Sequence, residues 1–247
     1  MASAGARLLF LAGFQVVVLE REQPLAVRRL VSFAQAVLDG TVDVEGVPGR
    51  RIEGDLPSPL AADFVPVSVD PDGLSLARLQ PQALVDARMA KRNLGTARSN
   101  ARLVVGLGPG FVAGLDVHAV VETQRGPNLG AVIWAGAAAA DTRVPAEVMG
   151  FRDERVLRAP SPGRFRGLAK IGALVAEGDV AGEVEGAAVR AGVSGLVRGL
   201  LADGVRVDAG LKVGDIDPRG AGVDPSRISD KARAVAAGVL EAVLVGC

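Results

Sequence analysis

A glycine-rich turn near the middle of the chain is the first candidate for chemistry. Residues 103–111 (LVVGLGPGF) predict a strand that runs into a turn containing Gly106, Gly108 and Gly110. Backbone N–H groups in such a turn can surround an anion, as they do in phosphate-binding loops. The turn lacks the Gly-Lys-Ser/Thr of a P-loop, and Pro109 breaks the spacing of a dinucleotide fingerprint. The alternative interpretation is a turn that needs glycine for its positive φ angles.

The single histidine of the chain, His118, lies eight residues beyond this turn. Alternation along a strand places Asp116 and His118 on one face, with Glu122 further along. The imidazole could act as a general base beside the glycine turn. The alternative is a histidine that is hydrogen-bonded on its strand. One histidine without cysteine partners predicts no metal site.

Further polar residues flank these two features. Residues 91–93 (KRN) follow a predicted strand end, which is where ligands bind in open α/β sheets. A solvated basic helix start is the alternative. Together these residues form the predicted ligand-binding set: Lys91, Asn93, Gly106, Gly108, Gly110, Asp116, His118, Glu122, Thr123, Arg125 and Asn128.

A second predicted set lies near the start of the chain and would bind a cofactor. Glu20 follows an apolar strand, where a dinucleotide-binding fold places a ribose-binding acid. Arg28 and Arg29 fall early in a predicted helix, where the helix dipole opposes cations, so they indicate a partner anion or a salt bridge. There is no Ser-His-Asp pattern, no paired carboxylates in a recognisable context and no CxxC. The catalytic residues are therefore unassigned, and the sequence leaves open whether the protein is an enzyme.

The elements that would position these residues predict an α/β fold. Helical and strand patterns alternate over residues 1–100, which indicates a Rossmann-like parallel sheet that lacks its first strand and Gly-rich turn. Pro57 and Pro59 predict a loop within it. The predicted helices cover 6–12 and 24–38, and the predicted strands cover 14–20, 42–45, 65–69 and 84–86.

The clearest internal signal is a repeat in the second half of the chain. Residues 159–182 recur at 191–214, with Arg-Gly-Leu at 166–168 and again at 198–200. The regular glycines and short Val-rich strands predict two interlocked β units, a pseudo-twofold barrel-sandwich like that of biotinyl and lipoyl carrier domains. The stretch 183–190 has no lysine to modify, so a carrier role fails.

These patterns divide the chain into four predicted segments. The first, 1–100, is the truncated Rossmann-like domain, and 101–154 is a glycine-rich strand region with the candidate site. The third, 155–220, is the barrel-sandwich-like domain. The last, 221–247, is a C-terminal helix that packs on the body, with Ser229 or Asp230 as its N-cap.

Composition narrows the class of protein. Lys plus Arg and Asp plus Glu both total 28, so no overall field attracts nucleic acid or an anionic membrane. Arg, Asp or Glu interrupts each apolar stretch, which predicts no membrane span. A single cysteine, Cys247, fits a reducing cytosol and a cytoplasmic protein. The alanine-rich stretch 131–140 suits a core or an interface, which leaves a homo-oligomer open.

Several long and unusual motifs resemble those of one bacterial family. They include VGLGPGF at 105–111 and DVHAVVET at 116–123. With them the chain resembles the YqeB-like accessory proteins of selenium-dependent molybdenum hydroxylases over nearly its whole length. The other matching segments are 23–29, 31–34, 90–93, 125–126, 128–130, 155–160, 217–220 and 228–232.

The resemblance implies a pathway rather than a reaction. It implies an accessory protein that helps to mature the hydroxylase by binding the apoenzyme, another maturation factor, the molybdenum cofactor or a selenium donor. The ligand would then be a molybdopterin-type cofactor or a nucleotide. The alternative is a nucleotide- or NAD(P)-dependent enzyme that acts on a cofactor precursor. Family members resemble one another in an initial strand and Gly-Asp turn, whereas this sequence opens in the helix that would follow.

Overall fold

The computed structural model describes residues 1–56, 60, 63–142 and 144–247. The loop predicted at Pro57 and Pro59 lies outside these residues. Across the described ranges, no helix combines the length and the apolar character that are needed to cross a membrane.

The first sheet combines parallel and antiparallel pairs. Its strands are β1 (Val18–Glu20), β2 (Thr41–Val44), β3 (Val47–Ile52) and β4 (Val65–Val69), in the order β1-β4-β3-β2. β4 runs parallel to both β1 and β3, and β2 and β3 form an antiparallel hairpin. The apolar pattern of β4 predicts a buried strand, and four of its five residues are buried.

The helix predicted over 24–38 is wrong. Ser32 is extended, with φ −133° and ψ 123°, and interrupts the helical pattern. The backbone of Val27 is engaged elsewhere, because its carbonyl accepts a hydrogen bond of 2.8 Å from the N–H of Leu200. Tertiary contacts therefore override the local pattern. The segment instead forms 3-10 turns at Arg29–Val31 and Phe33–Gln35, followed by the one-turn helix α2 (Ala36–Asp39).

The middle sheet carries the glycine-rich turn. Its strands are β5 (Ala83–Asp86), β6 (Leu103–Leu107), β8 (Ala119–Val121) and β9 (Val132–Ile133), in that order. β5, β6 and β8 are parallel, and β9 pairs antiparallel with β8. The remaining elements of this region are the short helix α3 (Leu76–Leu79) and the two-stranded pair of β7 (Val112–Ala113) with β10 (Gly136–Ala137).

Two helices pack between these sheets. They are α1 (Ala2–Leu11) and α4 (Asp230–Gly246), and Ser229 caps α4 by accepting the Ala232 N–H at 3.2 Å. The apolar residues of α4 recur at helical spacing on two faces. One face joins the core of the first sheet through Ala232 and Ala236, together with Ile228 just before the helix. The other joins the core of the middle sheet through Val235, Val239, Ala242 and Val243.

The second half of the chain repeats its strands at the 32-residue offset of the sequence. β12, β13 and β14 recur as β16, β17 and β18, and β15 occupies the position that corresponds to β11. They form two four-stranded antiparallel sheets, β11-β18-β16-β13 and β15-β14-β12-β17, around one apolar core. The strands are β11 (Val156–Arg158), β12 (Gly163–Gly167), β13 (Leu174–Val175), β14 (Val180–Val184), β15 (Ala187–Arg190), β16 (Gly195–Leu200), β17 (Arg206–Val207) and β18 (Lys212–Asp217).

The predicted fold class, a Rossmann-like parallel sheet followed by a barrel-sandwich unit, is wrong. The chain is β-rich, with about 30% strand and 20% helix in several small sheets. Residues 1–100 contribute to two separate sheets, each with an antiparallel pair. The helices longer than two turns in the described chain, α1 and α4, come first and last and do not connect parallel strands. The segment boundaries at 100, 154 and 220 stay predictions.

Candidate functional site

The candidate site lies where three parallel strands of the middle sheet end. β5 ends at Asp86, which is in register with Gly106 of β6, and Leu107 is in register with Val121 at the end of β8. The glycine turn and Glu122 therefore follow neighbouring strands at one edge of the sheet. Ligands commonly bind at such carboxyl edges.

The glycine turn is shaped by close packing. Gly108 has φ +74°, and a Cβ there would collide with the Thr123 side chain. Gly110 has φ +107°, and a Cβ there would lie 2.6 Å from the Arg92 nitrogen. Glycine is thus needed both for the angle and for the approach of two neighbouring loops. The Gly108 N–H donates to the Val121 carbonyl at 2.9 Å, so the sheet already uses this donor.

Glu122 and Thr123 are buried at the end of β8, with 5% and 4% of their surface exposed. Each carboxylate oxygen of Glu122 accepts a backbone N–H at 2.7 Å, one from Gln124 and the other from Ala139. These bonds satisfy the buried charge and hold the following loop. Glu122 is therefore a positioning group in this arrangement.

Two cations border the same edge. Lys91 has φ +63°, and its backbone lies against Gly110. Its ammonium lies 3.6 Å from a carboxylate oxygen of Asp141. Arg125 binds Asp230, the first residue of α4, through two bonds of 2.7 and 2.9 Å. This guanidinium holds the pKa of the Asp230 carboxyl far below its usual range, and the carboxylate in turn raises the pKa of Arg125.

Lys231 is a functional candidate that the sequence reasoning missed. It is half-buried in the first turn of α4, beside Asp230. Burial lowers the pKa of its ammonium, Lys91 and Arg125 lower it further, and Glu122 opposes them. Its side chain forms no hydrogen bond or close ion pair among the described residues, but Asp141, like Glu122, stabilises its positive charge. The available signal was a lysine at a helix start, where the dipole disfavours a cation. We call Lys91, Gly108, Gly110, Thr123, Arg125 and Lys231 the central site.

His118 and Asp116 lie at the other end of β8 from Thr123. The backbone N–H of Val104 donates to His118 Nδ1 at 2.9 Å, and the backbone N–H of His118 donates to the Val104 carbonyl at 2.8 Å. Burial and the nearby Arg98 lower the pKa of the imidazole. Asp116 accepts the Val112 N–H at 3.0 Å. The structure therefore separates this pair from Glu122 by the length of the strand.

The two predicted asparagines differ in their surroundings. Asn93 is occupied by its own turn, because its Oδ1 accepts the N–H groups of Gly95 and Thr96 and its Nδ2 donates to the Thr96 carbonyl at 2.8 Å. Asn128 is exposed in the turn that precedes β9. A ligand role for either stays a prediction.

The predicted cofactor set is spread over other elements. Glu20 ends β1 in the first sheet, and burial raises its pKa. Arg28 donates to the carbonyls of Pro225 and Arg227, and burial lowers its pKa to about 10. The side-chain hydrogen bonds of Arg28 thus go to backbone carbonyls, while Asp215 and Asp217 act on its charge electrostatically. Arg29 donates to the Leu200 carbonyl at 2.8 Å and lines a cleft of about 570 Å³ with Gln35, Asp39, Lys170 and Asp203.

Metal-binding groups are not clustered in the described chain. Among residues 1–56, 60, 63–142 and 144–247, no three His, Cys, Asp or Glu side chains are placed to hold one ion.

Comparison with known proteins places the chain beside one bacterial relative. No family model matches it. It is 47% identical over 247 residues to the uncharacterized protein YqeB of Escherichia coli strain K12. The chain is similar to YqeB throughout. The match covers 99% of the chain and 46% of YqeB, so the chain spans about half the length of this relative. The identity supports a YqeB-like family for the chain.

Two solved structures have weaker similarity. An aspartoacylase family protein from Mesorhizobium loti is 24% identical, with 26% of this chain and 24% of that one covered and a TM-score of 0.24. The product-bound ectoine utilization protein EutE (DoeB) from Ruegeria pomeroyi is 14% identical, with 81% and 84% covered and a TM-score of 0.27. At these TM-scores neither supports a conclusion about this chain.

Proposed function

We propose that the chain is a YqeB-like accessory protein for the maturation of selenium-dependent molybdenum hydroxylases. It acts in the cytoplasm by binding, through the central site, the apoenzyme, its molybdenum cofactor or a selenium donor. The link to these hydroxylases rests on the motif resemblance, which the similarity to YqeB over 99% of the chain supports.

One observation carries the proposal: five of the ten segments that bear the resemblance meet at the central site. Residues 90–93 and 105–111 touch where Gly110 lies against Lys91. Residues 105–111 and 116–123 touch where Gly108 lies against Thr123. Residues 125–126 and 228–232 are joined by the ion pair of Arg125 with Asp230. Segments from different parts of the chain thus converge on one small region.

The chemistry of the central site favours binding over a reaction. Each carboxylate oxygen of Glu122 already accepts one backbone N–H. His118, the candidate base, lies at the other end of β8. An NAD(P)-dependent enzyme would need a Gly-rich turn after the first strand of a parallel sheet, and the mixed sheets described above disfavour that alternative.

The test uses a bacterium that contains this protein and a selenium-dependent molybdenum hydroxylase. The gene for this protein is deleted and then restored as wild type, as Arg125→Met or as the control Arg206→Met, which alters an exposed arginine outside the central site. Hydroxylase activity and its selenium and molybdenum contents are measured in purified enzyme.

We expect the deletion to leave hydroxylase polypeptide with at least tenfold lower activity and reduced selenium or molybdenum. Wild type and Arg206→Met should restore both, and Arg125→Met should restore them only in part, at equal abundance on an immunoblot. Unchanged activity and metal content in the deletion strain would overturn the proposal.

A further inference from the structure

We propose that the free edge of β2 binds an extended peptide segment of a partner protein, which adds to the first sheet as a further strand. The segment lies in the cleft of about 570 Å³ between this edge and the repeated half of the chain. The cleft contains no residue of the central site, so this binding goes beyond the proposed function.

β2 is an edge strand with a regular row of unused backbone groups. The order β1-β4-β3-β2 leaves it paired with β3 alone. The Gly40 carbonyl accepts the Arg51 N–H at 2.8 Å, and hydrogen-bonded pairs alternate with unbonded ones along a hairpin, so positions 40, 42 and 44 bond to β3. The backbone N–H and C=O groups of Thr41 and Asp43 therefore face away from β3. None of these four groups finds a hydrogen-bond partner elsewhere in the described residues.

Pro48 agrees with this assignment of the ladder. It stands opposite Asp43 in the hairpin, and proline has no N–H with which to bond across the pair. A proline therefore fits a position where the two strands exchange no hydrogen bond. The donor and acceptor of Asp43 are left for a strand on the other side of β2.

The cleft runs along this edge of β2. Thr41, Val42 and Asp43 all line it. Successive side chains of a strand point to opposite faces of the sheet, so three successive residues line one cavity when that cavity follows the edge of the strand. The backbone groups that face away from β3 therefore open into the cleft.

The opposite wall of the cleft selects a single extended segment over a second folded copy. This wall comes from the repeated half of the chain: Gly167, Ala169, Lys170, Ile171, Leu200 and Asp203. A second copy that paired through its own edge strand would bring a whole sheet to β2 and meet the wall. A lone strand adds at a spacing of about 4.8 Å, and its backbone presents donors and acceptors at every second residue, as positions 41 and 43 do.

The lining of the cleft indicates which side chains the segment carries. Leu30, Val42 and Ile171 supply apolar surface, which suits β-branched residues at alternate positions. The charged residues of the lining are three carboxylates and two cations: Asp39, Asp43, Asp203, Arg29 and Lys170. A basic residue opposite Asp43 would offset the extra carboxylate by a cross-strand pair of opposite charge.

The test is fluorescence anisotropy of the full chain with the N-terminally labelled peptide Thr-Val-Lys-Val-Thr-Val as the probe. We expect wild type to bind this probe saturably and more tightly than Thr-Val-Glu-Val-Thr-Val. Two modified probes carry N-methyl groups on either the odd or the even amides. Because only alternate N–H groups of an added strand face β2, one modified probe should bind at least tenfold more weakly and the other like the parent. Failure of the parent probe to bind, or equal effects of the two methylation patterns, would overturn the inference.

Two variants of β2 separate the backbone donor from the side-chain charge. Asp43→Pro lacks the N–H that faces the cleft, and an edge strand tolerates proline there, so its Tm should stay near that of wild type while its Kd for the probe rises at least tenfold. Asp43→Asn keeps this N–H and an oxygen that can accept the Gly46 N–H, as Asp43 does at 2.7 Å. Its Kd should rise no more than about threefold.

A folded Asp43→Pro protein that binds the probe as wild type does would contradict the assignment of this edge. The N-methylated probes examine the same hydrogen bonds on wild type, so they decide the matter if the proline variant does not fold.

Size-exclusion chromatography with light scattering examines the other occupant, a second copy of the chain. We expect wild type and Asp43→Pro to have the same molar mass. A wild-type dimer that becomes a monomer in Asp43→Pro would assign the edge of β2 to a second copy and overturn the inference.

Discussion

At the scale of single residues, His118 shows how a residue suited to chemistry can be held by the backbone. Its Nδ1 accepts the Val104 N–H, so this nitrogen must be unprotonated in the folded protein. Protonation of Nδ1 would break that bond. The lowered pKa, caused by burial and by Arg98, agrees with this geometry.

The consequence is a specific dependence of stability on pH. Because the folded pKa of His118 lies below the ordinary value of 6.5, the unfolded chain binds more protons as pH falls through that value. The contribution of His118 to the free energy of unfolding is therefore complete above pH 6.5 and is lost on acidification. Urea unfolding of wild type between pH 7.5 and 5.5 measures this loss.

The variant His118→Gln cannot titrate in this range, and we expect its free energy of unfolding to be flatter between pH 7.5 and 5.5. The same slope in both proteins would contradict the assignment of the lost stability to His118.

At the scale of elements, α4 is the part of the chain on which the two N-terminal sheets and the central site depend. Its two apolar faces join both cores, and its first turn carries Asp230 and Lys231. It passes very close to the turn before β9, because Gly238 packs against the Gly130 carbonyl and a Cβ there would overlap it. The same Cβ would lie 2.8 Å from Val121.

Two glycine substitutions in helices should therefore have opposite effects. Helix propensity alone predicts that Gly→Ala stabilises by up to about 1 kcal/mol. In α4, overpacking should outweigh this gain, so Gly238→Ala should destabilise the protein by about 2 kcal/mol. In α1, a Cβ at Gly5 would lie 3.7 Å from Val239, an ordinary contact, so Gly5→Ala should be neutral or stabilising.

The free energy of unfolding in urea measures both effects. Stabilisation by Gly238→Ala would show that the turn at Gly130 moves away easily and that the position of α4 is not set by this contact.

At the scale of the whole molecule, a few long-range bonds join regions with separate cores. Val27 and Arg29 bond to Leu200 and so connect the N-terminal part to the repeated strands. Glu45, in the turn between β2 and β3, connects the first sheet to α4 by accepting the Ile228 N–H at 2.8 Å and binding Arg233 at 2.7 Å. The side chain of Glu45 is only 7% exposed.

The bonds of Glu45 should make the free energy of unfolding of the protein sensitive to acid. Burial alone would raise the pKa of Glu45, but the Ile228 N–H and Arg233 lower it overall from 4.5. A lowered carboxyl pKa gives stability that is present above pH 4.5 and is lost as pH falls through the folded pKa. Acid unfolding is followed by circular dichroism and by the fluorescence of the single tryptophan, Trp134.

Glu45→Gln keeps an acceptor for Ile228 but cannot titrate, so its stability should change less between pH 5 and 3. The exposed Glu53, which lies 3.7 Å from Arg51, supplies the control Glu53→Gln, and it should follow wild type. If Glu45→Gln lost as much stability as wild type between pH 5 and 3, other carboxylates would account for the loss of stability in acid.

Local patterns in the sequence were sufficient to predict several helices and strands. The apolar run 65–69 predicts β4 with its observed bounds, and the spacing of small apolar residues after Ser229 predicts α4. The 32-residue repeat indicates that strands β12, β13 and β14 recur as β16, β17 and β18, and Gly172 and Gly178 share their positive φ angles with Gly204 and Gly210. These signals are local or periodic, and they depend little on distant contacts.

The tertiary structure decided the arrangement of the sheets and the composition of the central site. The helical pattern over 24–38 gave way to short turns where Val27 bonds to Leu200, and no periodicity reveals a partner 173 residues away. Long-range packing also places Lys231 at the central site, because Arg125 and Asp230 meet only when α4 packs beside β8. Local sequence specifies which residues form a strand or helix, whereas long-range packing and pairing of charges decide which of them become neighbours.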